Sequence, residues 1–314
     1  MNKDNKKDPD SIKFKIVRFW KTENGKLSLV RDILIALILV LVILTALWAY
    51  TGQWFGTPMV AIESGSMQHD DEPFGRFGTI NAGDMVLLKK VDSRNDIVTR
   101  GSRIQGSLAR KDKDHYTYGD YGDVIIYYPK GNKNVDQIIH RAICWVEVNE
   151  DGSYTVKEYK IFDETYLGDS SQLSDEGQRL FYEDTGLENY KPMHSGFITK
   201  GDNNNIADQK SSQLCIEPIK ISWISGKARS EIPWIGTINL FFNDITTGDN
   251  TVGNVPKDCI ACLVIVIGIL ISIPISLDFY DYYKTKKKQS IKEVLLQHRN
   301  QENNENNISE NEKK

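Results

Sequence analysis

The chain has 314 residues, with 43 acidic against 39 basic side chains and a formal net charge of −4. That balance gives no basis for a nucleic-acid partner, and the length allows one or two domains. The averages conceal a segregation, because charge and hydrophobicity occupy different stretches of the chain.

Residues 1–10 are polar and rich in Lys and Asp, and read as disordered. Residues 11–31 mix Phe14, Ile16, Val17, Phe19 and Trp20 with lysines. Two readings stay open here: an amphipathic helix on the inner leaflet, or a tail of topology charges. Residues 33–50 are apolar and uncharged, about the length of one bilayer core as a helix. Trp48 and Tyr50 at the far end suit a membrane interface. The run is long for a secretory leader and has no small-residue cleavage site after it, so 32–50 reads as an uncleaved signal anchor. A second apolar run covers 259–277, where Pro274 either kinks or ends the helix. Lys13, Lys15, Arg18, Lys21, Lys26 and Arg31 precede the first run, and Lys284, Lys286, Lys287 and Lys288 follow the second. By the positive-inside rule, residues 1–31 and 278–314 are cytoplasmic and 51–258 lie across the membrane.

Between the anchors the chain reads as many short strands with Gly/Asp turns. They are expected at 59–62, 83–89, 122–129, 138–148, 196–202, 219–223 and 235–242, with a hairpin around 154–162. This pattern predicts a mainly β domain, a barrel or sandwich over 51–245. Residues 92–118 read as a polar surface insertion. Residues 149–195 read as a second insertion, with an acidic helical stretch near 174–190. Residues 246–258 read as a Gly/Asn/Asp linker to the second helix. Cys144 and Cys215 are the two cysteines outside the apolar runs, and either pair or stand as separate buried thiols.

The chemistry centres on Glu63-Ser64-Gly65-Ser66-Met67. A short apolar strand ending in Ser-Gly-Ser either presents a hydroxyl at a rigid edge, as a serine nucleophile requires, or is an ordinary polar turn. Of five histidines, His298 falls on the cytoplasmic tail, His69 and His115 in polar loops, and His194 just before a strand. His140 alone sits inside an apolar strand, on a face shared with Ile138, Ala142 and Cys144, which suits a desolvated base or a structural core histidine. Asp202 and Asp208, in one Asp/Asn-rich turn, are the candidate orienters of that base. The same turn could be a calcium loop, although it lacks the EF-hand spacing, or a plain Asx-rich turn.

Four segments occur in order: Glu63-Ser64-Gly65-Ser66-Met67, Gly122-Asp123-Val124-Ile125, Ile139-His140-Arg141 and Thr199-Lys200-Gly201-Asp202-Asn203-Asn204. With the N-terminal anchor and the tail from Gly226-Lys227-Ala228 to Ile232-Pro233-Trp234-Ile235-Gly236, the chain resembles type I signal peptidase over roughly residues 30–245. A histidine where bacterial members carry a lysine resembles the endoplasmic reticulum and archaeal branch. The resemblance implies a signal-peptidase-like β-barrel or sandwich catalytic domain held between two transmembrane helices. It implies Ser66 as nucleophile, His140 as general base, Asp208 as its orienter and Asp202 as a second supporting aspartate, with Ser64 assisting the oxyanion hole. It implies a serine endopeptidase that removes signal peptides at small-residue sites, needs no cofactor or metal, and sits in the plasma or endoplasmic reticulum membrane. Preprotein signal peptides and the lipid bilayer are the implied partners, with a translocon or accessory subunits left open. Gln68 and His69 stand where many relatives have proline, and the turn from Asp202 to Asp208 lacks a proline often found there. Three rivals remain: a self-cleaving peptidase on the same fold, a non-catalytic membrane-anchored assembly factor or receptor, and a calcium-binding surface domain.

Overall fold

The strand Val124–Tyr127 shows how the domain is built. All four of its side chains are buried, and they alternate between two cores. Val124 and Ile126 pack with Ile62, Met67, Val86 and Leu88, while Ile125 and Tyr127 pack with Ala142, Phe197 and Ile219. A run of β-branched residues without polar alternation is what a strand covered on both faces requires. The computed structural model describes residues 20, 25–54, 56–103, 115–168, 175–211 and 215–311. The sequence reading of 1–19 and 21–24, and parts of both insertions, at 104–114 and 169–174, fall outside these residues.

In chain order the first unit holds α1 (Gly25–Thr51), β1 (Met59–Ala61), β2 (Met85–Lys89), β3 (Tyr116–Thr117), β4 (Asp120–Tyr121), β5 (Val124–Tyr127), β6 (Ile138–Val148), β7 (Tyr154–Val156) and β8 (Ile161–Glu164). It continues with α2 (Glu176–Thr185), β9 (Gly196–Lys200), β10 (Ile224–Ile232) and α3 (Gly236–Thr247). An antiparallel sheet runs β1-β2-β10-β5-β6-β7-β8, with β9 also paired to β6; β3 and β4 form a separate hairpin. Among the described residues the pairing path is open, and β1 is one of its edges. Bulges interrupt β10 between Ile224 and Gly226 and between Ala228 and Ser230, and β6 between Ala142 and Cys144. Bulges of this kind bend a strand and increase its twist. The eleven-residue β6 joins the parts: its first half pairs with β5, its middle with β9 and its end with β7.

The second unit is α4 (Lys257–Asn311). It continues through Pro274. Both α1 and the first part of α4 are long and apolar enough to cross a membrane.

Several sequence expectations are corrected. Residues 235–242 are not a strand. They lie in and just before α3, where Ile238, Phe241, Phe242 and Ile245 follow the i, i+3, i+4, i+7 spacing of one exposed helix face. Residues 219–223 carry only a single bridge, from Ile219 to Phe197, and one 3-10 turn; the strand starts at Ile224. The linker expected at 246–258 is packed at least to Val255, which is buried, while Asn254 Nδ2 donates to the Glu63 carbonyl at 2.9 Å. The 92–118 segment contributes Ile97 to a core, and 149–195 packs Tyr159, Leu167 and Phe181 into one cluster with Ile143, Cys144 and Val146 of β6 and Ile198 of β9. Cys144 and Cys215 are separate buried thiols.

Candidate active site

β1 leads directly into the serine turn. After its last residue, Ile62 N–H donates to the Asp84 carbonyl and Gly83 N–H donates to the Ile62 carbonyl, which holds the exit of β1 against the start of β2. Met67 is 0 % exposed and belongs to the core beneath. The residue after Ser66 is therefore an anchor, and Gln68 N–H closes the turn onto the Gly65 carbonyl at 3.1 Å. The second wall is the turn after β9. Asn203 N–H donates to the Ser66 carbonyl at 2.9 Å and Asn203 Nδ2 to the Gly65 carbonyl at 3.1 Å. Ser64 Oγ and Ser66 Oγ lie 3.3 Å apart.

His140 is held opposite Ile125 in the β5–β6 register and is buried. Its Nδ1 is 2.7 Å from Asp208 Oδ2. An ionised carboxylate can only accept, so this contact assigns the proton to Nδ1 and leaves Nε2 as a lone-pair acceptor. Gly201 lies beside that nitrogen. A Cβ there would come within 2.9 Å of His140 Nε2 and 2.6 Å of the Ser66 carbonyl. Only a residue without a side chain allows His140 and the serine turn to approach from both sides.

Asp208 is buried, and three donors converge on its Oδ2: His140 Nδ1, Tyr127 OH and Thr199 Oγ1, each at 2.7 Å. Its Oδ1 has no partner among the described residues. Burial, and then the neighbouring Asp208 charge, push the Tyr127 phenol well above its usual range, so it remains a donor. Thr199 N–H in turn donates to Gln209 Oε1, which ties β9 to the turn carrying Asp208.

Asp202, expected as a second supporting aspartate, makes no hydrogen bond to His140 among the described residues. Its carboxylate receives Arg141 Nε at 2.8 Å and Nη2 at 2.5 Å, and lies 3.1 Å from His69 Nε2. Arg141 is fully buried and also donates to the carbonyls of Gly122, Thr117 and Tyr118. Asp202 therefore clamps the Asn203 turn to the β3–β4 hairpin rather than touching the base. Burial alone would raise its pKa, but the bonds from Arg141 and His69 outweigh it and hold the carboxyl below its ordinary range. The same bond to Asp202 raises the pKa of His69.

Ser64, Ser66 and His140 all line one open cavity of about 600 Å³. Val60, Ala61 and Ile62 line it, together with Ile138 and Ile139 and with Glu63 and Asp136. Burial and then the Asp136 charge raise the Glu63 pKa. Among the described residues no hydrogen bond joins Ser66 to His140. His194 is elsewhere, edge-on to the Trp223 ring. Both aspartates of the proposed calcium loop are occupied by protein donors, and no group of described residues is arranged to hold a metal ion.

Sequence reading missed Tyr127, Thr199, Arg141, His69 and Gly201. Tyr127 left a signal, as a phenol at the end of an otherwise aliphatic strand. No model of a known protein family matches this chain, and no curated protein matches it.

Proposed function

We propose that the chain is a membrane-anchored serine endopeptidase of the signal-peptidase type, cutting exported preproteins after small residues. The observation that carries the reading is the buried His140–Asp208 pair, whose free imidazole nitrogen faces the Ser66 turn across Gly201. Ser66 attacks the scissile carbonyl as His140 Nε2 takes its proton, and His140 returns the proton to the leaving amine. Asp208 fixes the tautomer and stabilises the imidazolium. The Ser66 N–H and the Ser64 hydroxyl supply the oxyanion donors, each contributing on the order of 3 kcal/mol to the barrier. Ser64 releases Ser66 when substrate arrives, and water then hydrolyses the acyl-enzyme. Catalytic hydrogen bonds often tighten only in the substrate complex.

The free edge of β1 along the cavity supports an extended peptide bound as an added strand. The apolar helix α1 ends fifteen residues before Ser66, which supports cleavage close to the membrane surface. A second reading, a non-catalytic assembly factor or receptor, is favoured by one fact: Ser66 bonds Ser64 and not His140. Incubation of the full chain with a preprotein, followed by N-terminal sequencing of the product, separates the two. The peptidase gives one new N-terminus after a small residue, lost in His140→Ala and kept in His194→Ala. Loss in His194→Ala with retention in His140→Ala overturns the assignment of the base.

A further inference from the structure

A second pocket, of about 370 Å³, shares no lining residue with the serine cavity. Lys89, His115, Lys227 and Arg229 line it, with Asp123 as its carboxylate. Asp123 is fully engaged. Its Oδ1 pairs with His115 Nε2 at 2.9 Å, and its Oδ2 receives Lys227 Nζ and Val98 N–H, both at 2.8 Å. It therefore balances Lys227, and among the described residues no carboxylate in the pocket pairs with Lys89 or Arg229. Lys89 and Lys227 are direct cross-strand partners of β2 and β10, where like charges oppose each other. Lys227 Nζ also donates to the Asp96 carbonyl at 2.6 Å, so an anion entering the pocket would chiefly neutralise Lys89 and Arg229 beside that pair.

The pocket also has a defined height relative to the apolar helix. The Arg229 guanidinium stacks on the Tyr50 ring at 4.0 Å and donates to the Tyr50 carbonyl. Tyr50 lies in the last turn of α1, and Lys90 N–H donates to the Thr51 carbonyl at 3.0 Å. The end of β2 and the middle of β10 are thus pinned where an apolar helix would leave the hydrocarbon, at the level of headgroups.

We infer that the Lys89–Lys227–Arg229 pocket seats the phosphate of an anionic lipid headgroup. The inference rests on α1 as a membrane span and is independent of the peptidase chemistry. Its test is fluorescence anisotropy of a labelled short-chain phosphatidylglycerol with the full chain in detergent micelles. Phosphatidylglycerol should bind more tightly than labelled phosphatidylcholine, and Lys89→Gln/Arg229→Gln should weaken it at least about tenfold. Lys160→Gln/Lys220→Gln, which removes the same charge elsewhere, should leave it unchanged. Should the first double variant lose its near-ultraviolet circular dichroism, Lys89→Gln alone carries the test at about fivefold. Equal binding of the two lipids, or equal loss in both double variants, overturns the site. Displacement of the lipid by equimolar inorganic phosphate assigns the pocket to free phosphate and overturns the lipid source. Release of the full chain from membranes by alkaline carbonate would instead overturn the membrane span.

Discussion

Asp202 and Asp208 lie on successive turns after β9 and both carboxylates are shielded from solvent, yet they are held in different ways. Asp202 faces a buried guanidinium that forks onto it, with His69 as a second partner. Asp208 Oδ2 faces an imidazole and two hydroxyls, and its Oδ1 has no partner among the described residues. The first carboxylate has its counter-charge in the resting protein. The second is met by an imidazole and two hydroxyls. In the proposed reaction Asp208 is the group placed against the imidazole that takes the serine proton. The Asp202 limb holds the geometry of the turn beside it.

Substitution of each aspartate by Asn separates the two roles. Asp208→Asn should cut turnover by roughly 10³–10⁴-fold in a protein that still folds, because the amide permits the wrong tautomer. Kinetics on a purified preprotein, with circular dichroism for the fold, measures it; near-normal turnover would move the orienting role away from Asp208. Asp202→Asn should act mainly on stability, by about 3–5 kcal/mol, because it leaves the Arg141 charge buried without its partner. Urea unfolding reads that loss, and turnover per folded molecule should change far less than in Asp208→Asn.

The strand framework around this contrast was legible in the sequence, the contrast itself was not, and the difference has a physical reason. The bounds of β6 and the order of the Ser66, His140 and Asp208 segments follow from apolar runs and Gly/Asp turns, which are local signals. The assignment of Asp202 to Arg141 is not local, since the two residues are 61 apart and meet only through the β6–β9 register. The His69–Asp202 contact spans 133 residues, and a histidine in a polar loop gives no hint of it. Residues 235–242 were misread because their apolar positions include neighbours, Leu240 to Phe242, that look like a buried strand. The buried face of α3 is made by the small Gly236 and Thr237 together with Leu240.

Smaller effects sharpen the comparison further. Met67→Ala should cost about 2–5 kcal/mol by opening a cavity under the serine turn, read by chemical denaturation. A loss under 1 kcal/mol would show that the turn is not anchored there. His69→Gln tests the outer end of the Asp202 limb. The folded His69 has a raised pKa, so the stability it adds is full below its unfolded value of about 6.5 and is lost as pH rises through the folded pKa. The melting temperatures of wild type and His69→Gln should therefore differ most at acid pH and converge at alkaline pH. A constant difference across that range would show that His69 acts by packing alone.

The central claim is that the Asp208 limb serves the hydroxyl of Ser66. The most direct measurement is cleavage of a radiolabelled preprotein in detergent micelles by the full chain and by Ser66→Ala, both verified as folded. The account predicts a discrete shortened product from the full chain and none from Ser66→Ala. Cleavage that persists in Ser66→Ala, or no cleavage of any of several preproteins by the full chain, would contradict it.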